Sequence, residues 1–242
     1  MGPMLKRNQV MGYLICVSLL GFLLRVLQLK YAFDEQGLMV GGNGSVTVLA
    51  VLSAIVVLVV ALFCRELESR PIYIEAFSDG ILELLLTMTG AIFLLLGSAI
   101  QIARKDMVEG ALGVVAALCM AGVGTGRFRD RPAPLTMHIY PCLYLVCKLI
   151  IDFKRWSIDP AILDYCFSLL AMICAMCATY HINGFCFDKG RRRITVFWCL
   201  CGVFFCGVTL ADGGVDNWLV NGGLGIWLFV NAWQLLETPQ TA

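Results

Sequence analysis

The sequence predicts an all-α protein, a polytopic transmembrane bundle of about eight helices. Of its 242 residues, 60% are apolar and 14% are charged, whereas an ordinary soluble domain has roughly 25% charged residues. Mean hydropathy is +0.83, and the apolar residues gather in stretches near the roughly 20 residues that a membrane-spanning helix needs. This composition excludes a soluble enzyme, a nucleic-acid-binding protein and a disordered chain. We expect one transmembrane domain over 1–242, with no soluble domain.

Eight stretches are apolar and long enough to span a bilayer: 11–30, 46–64, 82–102, 108–126, 135–152, 161–182, 194–211 and 217–236. The first is expected to be retained as a helix, because it lacks a small-residue cleavage site and Arg25 and Gln28 interrupt its far end. Only three residues, 104–106, separate the third stretch from the fourth, so these two require a tight hairpin. Seven crossings with one re-entrant segment is the alternative.

The twelve cysteines lie within the apolar stretches or at their ends. Free cysteines in such positions behave as small hydrophobic residues, so a disulfide framework is not expected. Cys174 and Cys177 share one helix face, but burial in lipid makes such thiols unreactive. No metal-ligand spacing, nucleotide-binding loop or catalytic motif is present. The sequence therefore predicts no cofactor, no metal site and no catalytic residues.

The basic residues predict an orientation. If the N-terminus is cytoplasmic, eleven lysines and arginines fall on the inner side and five on the outer side. The positive-inside rule then places both termini in the cytoplasm, with the chain in the plasma membrane. The remaining two basic residues, Arg25 and Lys148, lie within spans.

Ionisable residues within spans raise a functional hypothesis. In this topology one set of polar residues falls in the outer third of the membrane: Arg25, Gln28, Gln101, Glu109, Lys148, Asp152, Asp164, Asp212, Asp216 and Asn217. We expect an outward-facing vestibule where Arg25 and Lys148 face Glu109 and Asp164. Its predicted ligand-binding residues are Arg25, Gln28, Glu109, Lys148 and Asp164. The alternative is that the two basic side chains snorkel to the interface, while Lys148 and Asp152, four residues apart, neutralise one another.

The inner half of the spans carries two histidines, His138 and His181, which could relay protons. Interhelical hydrogen bonding is the alternative for both residues. Glycines at helical spacing predict close helix contacts: Gly90 and Gly97, Gly110 and Gly113, and Gly222, Gly223 and Gly225. For 217–225 a broken helix lining a site is the alternative.

Two segments carry a family resemblance. They are Arg25-x-x-Gln28 through Phe33-Asp-Glu-Gln-Gly-Leu38, and Trp156-Ser-Ile-Asp-Pro160 followed by Asp164-Tyr165. With about eight short-looped spans, they resemble small bacterial multi-pass membrane proteins of unassigned activity. The resemblance implies a bacterial inner or plasma membrane and carries over no functional residue.

The leading functional hypothesis is a small transporter or substrate-binding membrane component with a polar site in the outer half. Besides lipid, its partner would be a small-molecule substrate, and no nucleic acid is expected. The alternative is a non-catalytic subunit or regulator that docks a protein through two basic cytoplasmic loops, at 127–131 and 189–193. A membrane enzyme ranks third.

Overall fold

The computed structural model describes residues 3–31, 44–67, 77, 80–129, 134–156, 165–187 and 189–236. Within them lie eight helices: α1 (Pro3–Tyr31), α2 (Gly44–Arg65), α3 (Ile81–Ala103), α4 (Met107–Phe128), α5 (Leu135–Trp156), α6 (Cys166–Phe185), α7 (Arg192–Thr209) and α8 (Val215–Leu236). Each is long and apolar enough to cross a membrane. The predicted all-α, multi-pass helical bundle is confirmed.

The hairpin between α3 and α4 bears on the question of seven or eight crossings. Both helices are full length, and three residues connect them. Lys105 adopts a positive φ of 73°, and the amides of Arg104 and Asp106 donate hydrogen bonds to the last turn of α3. A left-handed residue directly after a helix is a common way to end it sharply. Two full-length apolar helices favour eight crossings over the alternative with a re-entrant segment.

Six helices form a closed ring. From α3 to α8 each helix packs against the next, and α8 packs against α3. Helices α1 and α2 lie outside the ring, where both pack on α7. The ring brings α3, α4, α5, α6 and α8 around one axis, so polar residues at the same depth on different helices can meet.

Glycines set the spacing between α3 and α8. A Cβ atom placed on Gly223 would lie 2.6 Å from the carbonyl oxygen of Gly90, and one on Gly97 would lie 2.8 Å from a Val220 methyl group. On α4, a Cβ on Gly110 would press on the backbone of α3 at Ser98. These contacts show the close approach predicted for glycine-rich faces. Helix α8 runs unbroken through 217–225, so the broken-helix alternative is wrong.

All twelve cysteines are free, in agreement with the sequence-based expectation. Cys174 is buried, and Cys177 is half-buried. Large apolar side chains are exposed along the outer faces of α1, α2 and α3, including Leu19, Leu58 and Leu85. A soluble protein rarely exposes apolar surface on this scale, so these faces are the ones that lipid would cover.

Candidate functional site

A cavity of about 300 Å³ lies at the end of the bundle where α3, α5 and α7 end and α4, α6 and α8 begin. We call it the polar cavity. Nine of its fifteen described lining residues are charged, and these nine come from α1, α4, α5, α8 and the turns between helices. Its volume is at the lower end of the range of small-molecule sites, about 300–1,000 Å³.

The floor of the polar cavity is a buried cluster of three charged side chains, Glu109, Lys148 and Asp152, which we call the buried triad. The Nζ atom of Lys148 lies 2.5 Å from Oε1 of Glu109 and 3.0 Å from Oδ2 of Asp152. All three side chains are at most 6% exposed. One ammonium group thus joins α4 to α5 and serves two carboxylates.

A third helix is tied to the triad by Gln101 of α3. Its Nε2 donates a hydrogen bond of 2.7 Å to Oε1 of Glu109. The glutamine is 3% exposed and also lines the polar cavity. Because the same glutamate oxygen accepts from both Gln101 and Lys148, its position is fixed from two sides, and the second glutamate oxygen is left for other partners.

Arg25 of α1 contributes the other buried cation. Its Nε donates to Oδ1 of Asp212 at 2.7 Å, and its guanidinium lies 5.3 Å from the ring centre of Phe167. Ser168 of α6 donates to the second oxygen of Asp212 at 3.1 Å. This contact holds α1, which is outside the ring, to the turn between α7 and α8 and to the start of α6.

Two exposed ion pairs stand at the mouth of the cavity. Arg104 pairs with Asp216 at 2.6 Å, and Arg155 pairs with Asp106 at 3.1 Å. Both arginine side chains are more than half exposed. Exposed pairs contribute little to stability, typically about 0–1 kcal/mol.

Three of the five predicted ligand-binding residues, Arg25, Glu109 and Lys148, line this one cavity. The side chains of Arg25 and Lys148 do not extend to the surface, since these residues are 0% and 4% exposed. The snorkelling alternative is therefore wrong for both. Gln28 is buried on α1, one turn beyond Arg25, but it is not part of the cavity lining. Asp164 lies outside the described residues.

Two kinds of cavity residue were not predicted from the sequence. Arg104, Asp106 and Arg155 were assigned to external connections, and only the three-dimensional arrangement brings them over the cavity mouth. Ser168 sits in an apolar stretch, and the one signal for it in the sequence is its helical spacing of four residues from Asp164, a predicted ligand-binding residue.

The opposite end of the bundle has its own polar contacts. Arg127 of α4 is 3% exposed, and its Nη1 donates to the side-chain oxygens of Asn231 and Gln234 of α8 at 3.0 and 3.1 Å. Arg192 of α7 is also buried and donates to the carbonyl oxygen of Leu235 at 2.5 Å. Two arginines from the predicted docking loops are therefore packed between helices.

The two histidines lie on neighbouring helices. His138 of α5 is buried, whereas His181 of α6 is half-buried and lies edge-on to the ring of Tyr180, with 5.3 Å between the ring centres. Neither lines the polar cavity. The proton relay stays a prediction.

The chemistry of the polar cavity is that of ionic recognition. In the described part of the chain, no group of three or more histidine, cysteine, aspartate or glutamate side chains has a metal-binding arrangement. The cavity instead offers carboxylate oxygens, an amide and cationic side chains, which bind a charged or polar solute through hydrogen bonds. A comparison of the chain with family models, curated proteins and solved structures finds no match.

Proposed function

We propose that this membrane protein binds a small polar solute in the polar cavity, as a transporter or as the substrate-binding component of a transport system. The observation that carries the proposal is the placement of two buried cations, Arg25 and Lys148, around one 300 Å³ cavity. Charged residues inside a membrane bundle are expensive, and they commonly mark a substrate or ion pathway.

Stability alone is a weak explanation for these charges. Replacing a buried ion pair with apolar residues of similar volume is often neutral or stabilising. The polar cavity also leaves room beside the charges, whereas a purely structural ion pair is closely surrounded by other side chains. The cavity volume beside the buried charged side chains therefore supports solute recognition.

The proposal includes a location and an orientation. We infer that the chain lies in the plasma membrane with both termini in the cytoplasm, so that the polar cavity opens to the outside. The support is the excess of lysines and arginines at the other side of the spans, eleven against five, since cytoplasmic loops carry such an excess.

The orientation predicts the behaviour of reporter fusions. Green fluorescent protein fused after residue 242 is expected to fluoresce, because it folds in the cytoplasm, and alkaline phosphatase at the same place is expected to be inactive. Whole-cell fluorescence and phosphatase activity, each normalised to the amount of fusion protein, provide the measurement. Active phosphatase with a dark fluorescent fusion would reverse the orientation.

The alternative of a subunit that docks a protein through basic loops receives less support. Two of the arginines that motivated it, Arg127 and Arg192, are buried and bonded to α8. Arg129, Lys189 and Arg191 are exposed, but exposed basic residues at that side are equally expected from membrane topology.

Blocking the cavity mouth should abolish solute binding. Gly213 lines the polar cavity, and a Cβ atom there meets nothing within 4 Å, so Gly213→Trp adds a bulky ring without removing a charge. In a screen of anionic, cationic, zwitterionic and neutral solutes, we expect at least one to raise the unfolding temperature of the purified protein. Because the tryptophan ring occupies the entrance, the solute concentration that gives half of the maximal temperature shift should rise at least tenfold.

The matched control is Gly12→Trp. Gly12 lies on the exposed face of α1, and a Cβ atom there also meets nothing within 4 Å. This variant should keep the response of the wild type. A screen in which no solute stabilises the wild type, or in which both tryptophan variants respond alike, argues against a binding function for the cavity.

A further inference from the structure

The charges of the polar cavity do not balance. Four basic and five acidic side chains line it. Each of the three arginines pairs with a described carboxylate: Arg25 with Asp212, Arg104 with Asp216, and Arg155 with Asp106. Arg25 and Asp212 have further contacts as well. Lys148 alone serves two carboxylates. Among the described lining residues, the surplus negative charge is therefore located at the buried triad, whose side chains are at most 6% exposed.

A surplus charge at this place needs compensation. The triad is almost inaccessible to bulk water, and an uncompensated charge inside a protein is strongly unfavourable. Either a proton or a cationic ligand can supply the missing positive charge. The two differ in the space and the hydrogen-bond acceptors that they require.

Unused acceptors surround the triad. Oε1 of Gln101 is buried and has no hydrogen-bond partner among the described residues. Oε2 of Glu109 and Oδ1 of Asp152 accept no hydrogen bond from a described residue either, but unlike the Gln101 oxygen they are not fully buried. Buried polar atoms in native proteins are nearly always satisfied, so each such atom calls for an explanation. A single proton bound to a carboxylate oxygen neutralises the surplus charge but leaves the rest of the 300 Å³ cavity without a ligand.

We propose that the solute of the polar cavity is a small organic monocation whose primary ammonium group binds to Gln101, Glu109 and Asp152. An ammonium group carries three N–H donors and one positive charge, which match three acceptor oxygens and one surplus negative charge. This inference rests on the binding function proposed above and names the class of solute.

The size of the cavity favours an organic cation over a metal ion. A volume of about 300 Å³ is many times that of one water molecule, which occupies about 30 Å³ in the liquid. The amide and two carboxylates also fall short of the six or more oxygen ligands that divalent calcium takes. Anions are disfavoured, because acidic side chains outnumber basic ones among the described lining residues.

The test uses the full chain in lipid nanodiscs, with methylammonium as the probe and tetramethylammonium as its match. Both ions carry one positive charge, but only methylammonium has N–H donors. We expect methylammonium to raise the unfolding temperature in a saturable manner, and tetramethylammonium to require at least a tenfold higher concentration. An equal response to both ions would overturn the proposal, because it would reflect charge alone.

Asp152→Asn is the decisive variant. It removes the surplus charge and leaves a one-to-one pair between Lys148 and Glu109, so the protein should unfold at the same temperature as the wild type or a higher one. Its apparent Kd for methylammonium should rise about 10- to 100-fold, the effect of losing one charge-assisted hydrogen bond. The control is Glu66→Gln, which makes the same change of net charge at an exposed position after α2 and should bind normally.

The outcomes separate this inference from the proposed function. If acetate or a zwitterion such as glycine stabilises the wild type while methylammonium does not, the cavity binds a solute but the inference is wrong. If methylammonium binds Asp152→Asn as tightly as the wild type, the triad is not its site and the inference is also overturned. If no solute of any charge binds, the inference and the proposed function both fail.

Discussion

Lys148→Met is expected to lower the free energy of unfolding by about 3 kcal/mol or more, since removing one partner of a buried ion pair leaves an uncompensated charge. Here two carboxylates, Glu109 and Asp152, lose their shared ammonium group, and methionine fills a similar volume without replacing it. Unfolding in increasing fractions of a denaturing detergent, followed by circular dichroism, provides the measurement. Lys154→Met is the control, because Lys154 lies on the same helix and is exposed; its loss should cost less than about 1 kcal/mol.

A compensated variant separates electrostatics from packing. With Glu109→Gln and Asp152→Asn added to Lys148→Met, the triad becomes neutral and most of the lost stability should return, to within about 1 kcal/mol of the wild type. If the triple variant is as unstable as the single one, the loss comes from packing or hydrogen bonding, and the electrostatic account of the triad is wrong.

Gly223→Ala is expected to have the second-largest effect, a loss of about 2–3 kcal/mol. The new methyl group would lie 2.6 Å from the carbonyl oxygen of Gly90 and 2.9 Å from the amide nitrogen of Leu94. Both contacts are with backbone atoms of α3, so no side-chain rotation relieves them and the two helices must separate. Chemical or thermal unfolding of the purified variant measures the loss.

The neighbouring residue supplies the control. A Cβ atom on Gly222 meets only ordinary contacts, the nearest being a ring carbon of Phe93 at 3.5 Å. Gly222→Ala should therefore be neutral or stabilising by up to about 1 kcal/mol, through the higher helix propensity of alanine. Equal losses at 222 and 223 would show that the spacing of α3 and α8 does not depend on a glycine at 223.

The fold was largely predictable because bilayer thickness determines the length of each apolar stretch. The predicted spans match the helices in number and order, but their ends differ. The first helix begins at Pro3, whereas the apolar stretch begins near residue 11. Hydropathy detects the part of a helix that is apolar enough for the hydrocarbon core. It does not register the polar residues 6–9, although they belong to the same helix.

The depth of the site residues was predictable, but the identity of their partners was not. Lys148 meets Glu109 as expected, because the two lie at the same level on adjacent helices. Arg25 was expected to face Glu109 and Asp164. It pairs with Asp212, a partner that the sequence did not predict, and Asp164 lies outside the described residues. One sequence gives the level of each residue along its helix, but the order of the helices around the bundle comes from packing.

The burial of Arg127, at the end of the bundle opposite the polar cavity, was also not predictable from the sequence. Arg127 belongs to a basic cluster that the topology rule counts as a loop, yet its guanidinium lies 4.1 Å from the ring centre of Phe77 and is bonded to α8. Counting charges near the ends of spans gives orientation without regard to which side of a helix a residue occupies. A single sequence cannot therefore distinguish a surface arginine from an interhelical one.

The pairing of α3 with α8 has a consequence for biogenesis. During synthesis, the chain enters the membrane from its N-terminal side, and Lys148 reaches Glu109, 39 residues earlier, as soon as α5 has been inserted. Arg25 must wait for Asp212, 187 residues later, and the ring closes only when α8 reaches α3. The ion pair between α1 and the turn before α8 therefore forms only after most of the chain has been inserted. The assembly of the polar cavity is among the last events in its maturation.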